Sequence, residues 1–202
     1  MLSYEKGKLQ LCSLVKLADG RKALYIDSGL GAHSMLTEIV AYNKGKLIKV
    51  EKENEPILKE YPLYSKDINN DGVIEVGGMY IPKGFEHAAF AEIPFIYEYV
   101  DYTIDVAKQA IQERYVDGGQ YFYITIPSKW NHKVTIEKID KGVRLLSNSD
   151  KKVLFDVRWK KKDSYSISRE KLGETKDTVF YTDLKENVTF LYNNFHLLKD
   201  EF

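Results

Sequence analysis

The sequence predicts a mainly β protein with an α+β C-terminal part. Antiparallel sheets come first, then a curved antiparallel sheet with a C-terminal helix. Three observations carry that expectation. Short runs of alternating apolar and polar residues recur along the chain, each bounded by Gly, Asn, Asp or Pro. Aromatic residues are 13% of the chain and include 15 tyrosines, a composition that suits pleated surfaces. A clear helical stripe is found only near the C-terminus.

Size and charge bound what the chain does. With 202 residues it has room for one domain or two small ones, and the expected division is 1–105 and 106–202. The 30 Lys and Arg balance the 30 Asp and Glu, which argues against a general nucleic-acid binder. No run of 18 apolar residues is present, so no transmembrane helix is expected. The N-terminus lacks the apolar segment of a signal peptide. Leu9-Gln10-Leu11-Cys12 is not a lipoprotein-processing motif, because no apolar run precedes it. The opening Leu2-Ser3-Tyr4 reads as a start inside a β region, so a longer exported protein is expected. A single cysteine makes no internal disulfide, and Cys12, flanked by Leu11, Leu14 and Val15, is expected to be a buried thiol.

The N-terminal elements follow in order. Lys8 to Leu17 is strand-like and ends at Ala18-Asp19-Gly20. Arg21 to Asp27 is a second strand, with Ala23, Tyr25 and Asp27 on one face. Gly29-Leu30-Gly31 looks like a phosphate loop only in isolation; no helix follows it, so an ordinary connection is expected. Thr37 to Asn43 and Lys46 to Val50 form a hairpin across Lys44-Gly45. A charged loop, Glu51 to Glu60, leads into the most informative stretch.

That stretch is Asp67-Ile68-Asn69-Asn70-Asp71-Gly72-Val73-Ile74-Glu75. Oxygen donors stand at alternate positions: Asp67, Asn69, Asp71, the carbonyl of Val73, then Glu75. Calcium takes six to eight oxygens, and its loops use this spacing with a glycine at the sharp turn. Three carboxylates so close in sequence repel one another without a cation. An EF-hand needs Glu at loop position twelve, which here is Gly78, so that reading fails. The same letters also suit an Asn-Asp-Gly hairpin turn that needs no metal.

A carboxylate at loop position nine between extended segments resembles the calcium loops of FG-GAP and VCBS repeats. So do the phrases Arg21 to Gly29, Thr37 to Leu47 and Asp67 to Gly77, which are similar to uncharacterised VCBS-type lipoproteins of Gram-positive bacteria. That resemblance implies partial β-propeller-like sheets, calcium as cofactor, an extracytoplasmic location and room for a lipid anchor upstream. About 100 residues hold at most two blades, fewer than a complete propeller needs.

Farther on, Phe95 to Thr103 alternates as a strand, with Phe95, Tyr97, Tyr99 and Asp101 on one face. Residues 104–117 are ambiguous. Ile104, Ala107, Ile111 and Tyr115 fit a helix, whereas Asp117-Gly118-Gly119 before the strand Gln120 to Ile126 fits a hairpin and favours strand for Gln109 to Val116. Pro127 stops the next strand, and Trp130 follows on a short tether from which it can fold back. A strand ending in Ile126-Pro127-Ser128-Lys129-Trp130 resembles the opening of PsbP-like domains, small α+β folds. Further strands are expected at Lys133 to Lys138, Gly142 to Leu146, Lys152 to Trp159, Tyr165 to Ser168 and Thr178 to Thr182. Lys160-Lys161-Lys162-Asp163 reads as a solvated basic turn. A final helix is expected, capped by Asp183 with Glu186 three residues on, its stripe Leu184, Val188, Leu191 and Phe195.

No catalytic constellation stands out. His33, His87, His132 and His196 show no zinc spacing, and no Gly-x-Ser-x-Gly elbow is present. Glu86, His87 and Glu92 are the one local acid–base group. The expected function is a non-enzymatic, calcium-stabilised extracytoplasmic module that contacts a cell-wall, glycan or protein partner. The alternative is a cell-envelope hydrolase assembled from distant residues.

Overall fold

The computed structural model describes residues 8–31, 34–50, 57–61, 63–105, 108–164, 169–185 and 188–198. The protein is mainly β, and its described residues form antiparallel sheets and one short C-terminal helix, with no closed barrel among them. Among the described residues no helix is long and apolar enough to cross a membrane. The chain divides into two compact units, one of residues 1–80 and 97–112 and one of 81–96 and 113–202.

In the first unit, β1 (Lys8–Lys16), β2 (Lys22–Gly29), β3 (Met35–Asn43) and β4 (Lys46–Lys49) are successive antiparallel neighbours. The β3–β4 connection is the expected two-residue turn. Lys44 and Gly45 have φ of 47° and 82°, the left-handed pair that matches strand twist. β5 (Ile57–Lys59) pairs with the start of β3, and β6 (Val76–Tyr80) belongs to a second sheet. Residues 97–102 of β7 (Ile96–Tyr102) and the first half of β8 (Lys108–Asp117) complete this unit. Its core gathers Leu17, Ala23, Tyr25, Ile39, Ala41, Val50, Ile74, Val76 and Tyr102. Ser13 and Val15 lie in register with Tyr25 and Ala23, so they take the core face of β1. Cys12 and Leu14 take the other face and are exposed, which corrects the expected buried thiol.

A charged network sits inside this unit. Asp27 is 1% exposed and accepts hydrogen bonds from the Thr37 hydroxyl, from Lys59 Nζ (3.1 Å), and from the Ser65 N–H (2.7 Å) and hydroxyl (3.1 Å). Lys59 Nζ also donates to the Leu63 carbonyl at 2.6 Å and to Ser65 Oγ at 3.3 Å. Burial pushes the Lys59 amine down, and the Asp27 charge opposes that shift. Three strands and the 63–65 segment therefore meet at one carboxylate.

In the second unit, residues Glu113–Asp117 of β8 pair with β9 (Phe122–Ile126). The strand reading of 109–116 therefore holds, with residues 106 and 107 outside the described set. Glu113, Arg114 and Tyr115 are all buried. A strand covered on both faces loses its two-residue alternation, which let the spacing of Ile104, Ile111 and Tyr115 imitate a helix. Next come β10 (Val134–Ile139), β11 (Gly142–Ser147), β12 (Val153–Lys161), β13 (Glu170–Glu174) and β14 (Thr178–Thr182). They form one antiparallel sheet in the order β10-β11-β12-β14-β13. The helix α1 (Val188–Asn194) ends the helical part, and β15 (Phe195–Leu197) pairs with β9.

Aromatic packing dominates this unit. Phe122 lies 5.4 Å from Phe180, 5.4 Å from Phe195, 6.0 Å from Trp159 and 6.3 Å from Tyr115, ring centre to ring centre. After Pro127 a single 3₁₀ turn brings Trp130 back, edge-on to Phe155 (5.7 Å) and Phe190 (5.4 Å).

The expected helix is too long. Asp183 lies before α1 and is bound instead to Arg158 (3.0 Å) and Arg169 (3.3 Å), and Phe195 is in a strand. Glu186 and the expected strand Tyr165 to Ser168 fall outside the described residues. The short strands β5, β6, β13 and β15 had no expected counterpart.

Two outcomes follow. Lys59→Ala strips a buried carboxylate of its cation and is expected to cost about 3–5 kcal/mol in urea unfolding; a loss below about 1 kcal/mol would refute the role given to this pair. Burial, first, and nearby carboxylates hold the Tyr25 and Tyr115 hydroxyls above the ordinary tyrosine range. A raised folded-state value means the stabilisation is intact below about pH 10 and is lost as pH rises beyond it. Absorbance at 295 nm should show these two tyrosines ionising only as the chain unfolds; reversible ionisation of all tyrosines near pH 10 in the folded chain would contradict this.

Candidate metal centre

The loop 67–75 is anchored at both ends by the fold of the first unit. Ser65 is tied to Asp27. Lys66 and Glu75 then exchange backbone hydrogen bonds, Lys66 N–H to the Glu75 carbonyl at 3.0 Å and Glu75 N–H to the Lys66 carbonyl at 3.1 Å. On the exit side Ile74 and Val76 sit in the core. Gly77 packs hard against the entry side. A Cβ there would lie 2.7 Å from Leu63 Cγ and 3.2 Å from the Tyr64 carbonyl.

Between these anchors the chain makes a tight turn, with Asn70 at φ 61° and Gly72 at φ 83°. The turn folds its own amides onto the acidic side chains. Asp67 accepts from the N–H groups of Asp71 (3.1 Å) and Gly72 (2.9 Å), and Asp71 accepts from that of Val73 (2.8 Å). Each carboxylate oxygen offers more than one acceptor site, so these contacts leave lone pairs for another partner.

Of the expected ligands, the fold gathers the three carboxylates. One oxygen from each of Asp67, Asp71 and Glu75 lies within 4.8 Å of the other two. Two oxygens that share a calcium ion at 2.3–2.6 Å stand no more than about 5 Å apart, so the spacing fits a shared ion. Asn69 is turned into the loop instead: its Oδ1 accepts from the Asp71 N–H (3.0 Å) and its Nδ2 donates to Asp71 Oδ2 (2.8 Å). Val73 is held by a parallel bridge to Lys16.

Glu75 is the unusual member. It is 0% exposed. Its Oε2 accepts from the Ile68 N–H at 2.8 Å, while its buried Oε1 has no hydrogen-bond partner among the described residues. Burial pushes its carboxyl up to about 7, the Ile68 N–H resists, and the Asp101 and Asp71 charges add to the rise. Asp101, on β7, was not among the expected site residues. Burial and the Asp71 charge raise its carboxyl too, and its Oδ1 is buried without a hydrogen-bond partner among the described residues. Tyr25 contributes a third buried oxygen near these acids, also without a hydrogen-bond partner among the described residues. The sequence signal for Asp101 was a charge on a face otherwise made of Phe95, Tyr97 and Tyr99. The chemistry is that of hard oxygen donors, three of which, on Glu75, Asp101 and Tyr25, are buried without a hydrogen-bond partner among the described residues.

Glu86, His87 and Glu92 are all exposed, and the Gly84 N–H holds the Glu86 carboxyl below its usual range, the wrong direction for a general acid. The His132 N–H donates to both oxygens of the buried Glu113, at 3.0 and 3.2 Å. His196 stacks on Tyr123 at 4.7 Å, and His33 is outside the described residues.

No protein-family model matches the chain, and neither a curated protein nor a solved structure matches it significantly.

Glu75→Gln keeps the Ile68 contact and removes a buried charge. In chelator at pH 8 this variant is expected to melt above the wild type; a lower melting temperature would show that the Glu75 charge is already compensated.

Proposed function

We propose that the loop Asp67–Glu75 binds calcium and that the chain is an extracytoplasmic, calcium-stabilised binding or structural module without catalytic activity. The observation that carries this reading is Glu75 Oε1, a fully buried carboxylate oxygen with no hydrogen-bond partner among the described residues, grouped with Asp67 and Asp71. A buried anion is costly unless something positive faces it. Calcium suits the donors, which are all hard oxygens, better than zinc or copper, which favour nitrogen or sulfur. The ion would be held by Asp67, Asp71 and Glu75, with Asn69 and the Val73 carbonyl as the further donors that the spacing suggests. When bound, it supplies charge neutralisation and a cross-link between the two ends of the loop. Asp101 and Tyr25 would surround the site without completing its first ring of ligands.

The resemblance to FG-GAP and VCBS loops and to a PsbP-like segment supports the same reading, and the partner would be a cell-wall, glycan or protein surface. Loops of modest affinity, with Kd of about 10⁻⁴–10⁻³ M, belong outside the cell, where calcium is abundant.

Thermal melting tests this. Calcium at a hundredfold excess over its Kd adds about 2.7 kcal/mol, equivalent to a rise of roughly 5–10 °C for a chain of this size. Asp67→Ala combined with Asp71→Ala should abolish the rise. Superimposable curves in calcium and in chelator would refute the proposal, and magnesium giving the same rise would refute calcium as the ion.

A further inference from the structure

The fold brings a fourth carboxylate to the acidic loop. Asp101 stands near the end of β7, and β6 and β7 are neighbours in one antiparallel sheet. Glu75 immediately precedes β6, so Glu75 and Asp101 come to the same end of that strand pair. The turn after β1 joins them from the side. Lys16 bridges Val73 of the loop, and the Ala18 N–H donates to the carbonyl of Tyr102, the residue after Asp101, at 3.1 Å. The Ile104 N–H then donates to Asp19 Oδ2 at 2.9 Å, which fixes the exit of β7 to the same turn. Ile74 and Val76, on either side of Glu75, share one core with Tyr102 and Tyr25.

The position of Asp101 defines what it can do. Its Oδ1 is buried with no hydrogen-bond partner among the described residues. It is not one of the three carboxylates whose oxygens gather within 4.8 Å of one another. It therefore stands beside the site and outside the first ring of ligands. Contact is not needed for a charge to matter, because two charges interact across space in proportion to the size of each. Besides burial, Asp101 feels the Asp71 charge, and Glu75 feels the Asp101 charge. In oxygen-lined loops the number of negative charges and the rigidity of the frame set the affinity for the ion. The frame here is rigid on both sides of Asp101. The buried lysine of this unit, Lys59, is bound to Asp27 at 3.1 Å.

We infer that Asp101 sets how strongly the site discriminates by ion charge, adding a fourth negative charge to Asp67, Asp71 and Glu75 through space and not as a ligand. The site then favours a trivalent lanthanide over calcium, and Asp101 accounts for part of that preference. The inference deepens the calcium reading of the loop and rests on it.

The test uses the full chain at pH 8, with terbium as the trivalent probe. Terbium binding is followed by emission excited through tyrosine, and calcium affinity by displacement of terbium. Asp101→Asn keeps the shape of the side chain and removes its charge. It should weaken calcium binding about tenfold and terbium binding about thirtyfold, because the loss scales with the charge of the ion. Asp101→Glu restores the charge and should stay within about threefold of the wild type for both ions. In chelator Asp101→Asn should melt no lower than the wild type, since a buried charge has been removed. Unchanged affinity of Asp101→Asn for both ions overturns the inference and leaves the loop as a calcium site. Equal factors for the two ions, with a lower melting temperature in chelator, show a structural role and also overturn it. A loss of calcium affinity beyond about a thousandfold makes Asp101 a direct ligand and overturns action across space. If the wild type binds neither ion, the reading of the loop falls and this inference falls with it.

Discussion

The candidate site depends on a side chain outside it. Asp27 lies at the centre of the first unit with the Thr37 hydroxyl, the Lys59 amine and the backbone and side chain of Ser65 all donating to it. A lone buried carboxylate would be expelled to solvent or would take up a proton. With this many donors it becomes a fixed point, and the donors come from β3, β5 and the segment that enters the acidic loop. The loop itself is short and exposed at its tip. It keeps its shape because Ser65 cannot move away from Asp27 at one end, while Ile74 and Val76 cannot leave the core at the other. The exchanged hydrogen bonds between Lys66 and Glu75 then bring those ends together.

This arrangement accounts for an otherwise unfavourable feature. Glu75, Asp101 and Tyr25 place in the interior of a small unit three oxygens that have no hydrogen-bond partner among the described residues. The interior around them is largely aliphatic. The C-terminal unit is built differently. Its core is a set of rings around Phe122, and one of its buried acids, Asp156, is matched by Arg144 at 2.9 Å and Arg158 at 3.1 Å. Asp156 is answered by two cations, whereas Glu75 Oε1 has no hydrogen-bond partner among the described residues.

The β class was legible because alternation and turn chemistry act locally. The Lys44-Gly45 hairpin needed only two residues with positive φ, and Pro127 ended β9 for want of an N–H. Other elements were hidden by the same logic. β5 and β15 have three residues each, too few to show a period. β6 contains Gly77 and Gly78, which read as loop, although Gly77 is there because Leu63 leaves no room for a side chain. Asp183 has the chemistry of a helix cap, but two arginines that are distant in sequence claim it. Cys12 stands among apolar residues, yet the register of β1 against β2 turns it outward. In the acidic loop, spacing identified the carboxylates. It could not show that Glu75 would be sealed from water or that Asp101, 26 positions later in the numbering, would lie near it. Both depend on long-range pairing.

The central claim is that Glu75 is buried in order to face a cation. The most direct measurement is a diffraction experiment on crystals grown in millimolar calcium chloride, with anomalous data to identify the ion. The account predicts one calcium within about 2.3–2.6 Å of oxygens from Asp67, Asp71 and Glu75. Clear density for these three side chains with only water between them, or with Asp67 and Asp71 turned away from Glu75, would contradict it.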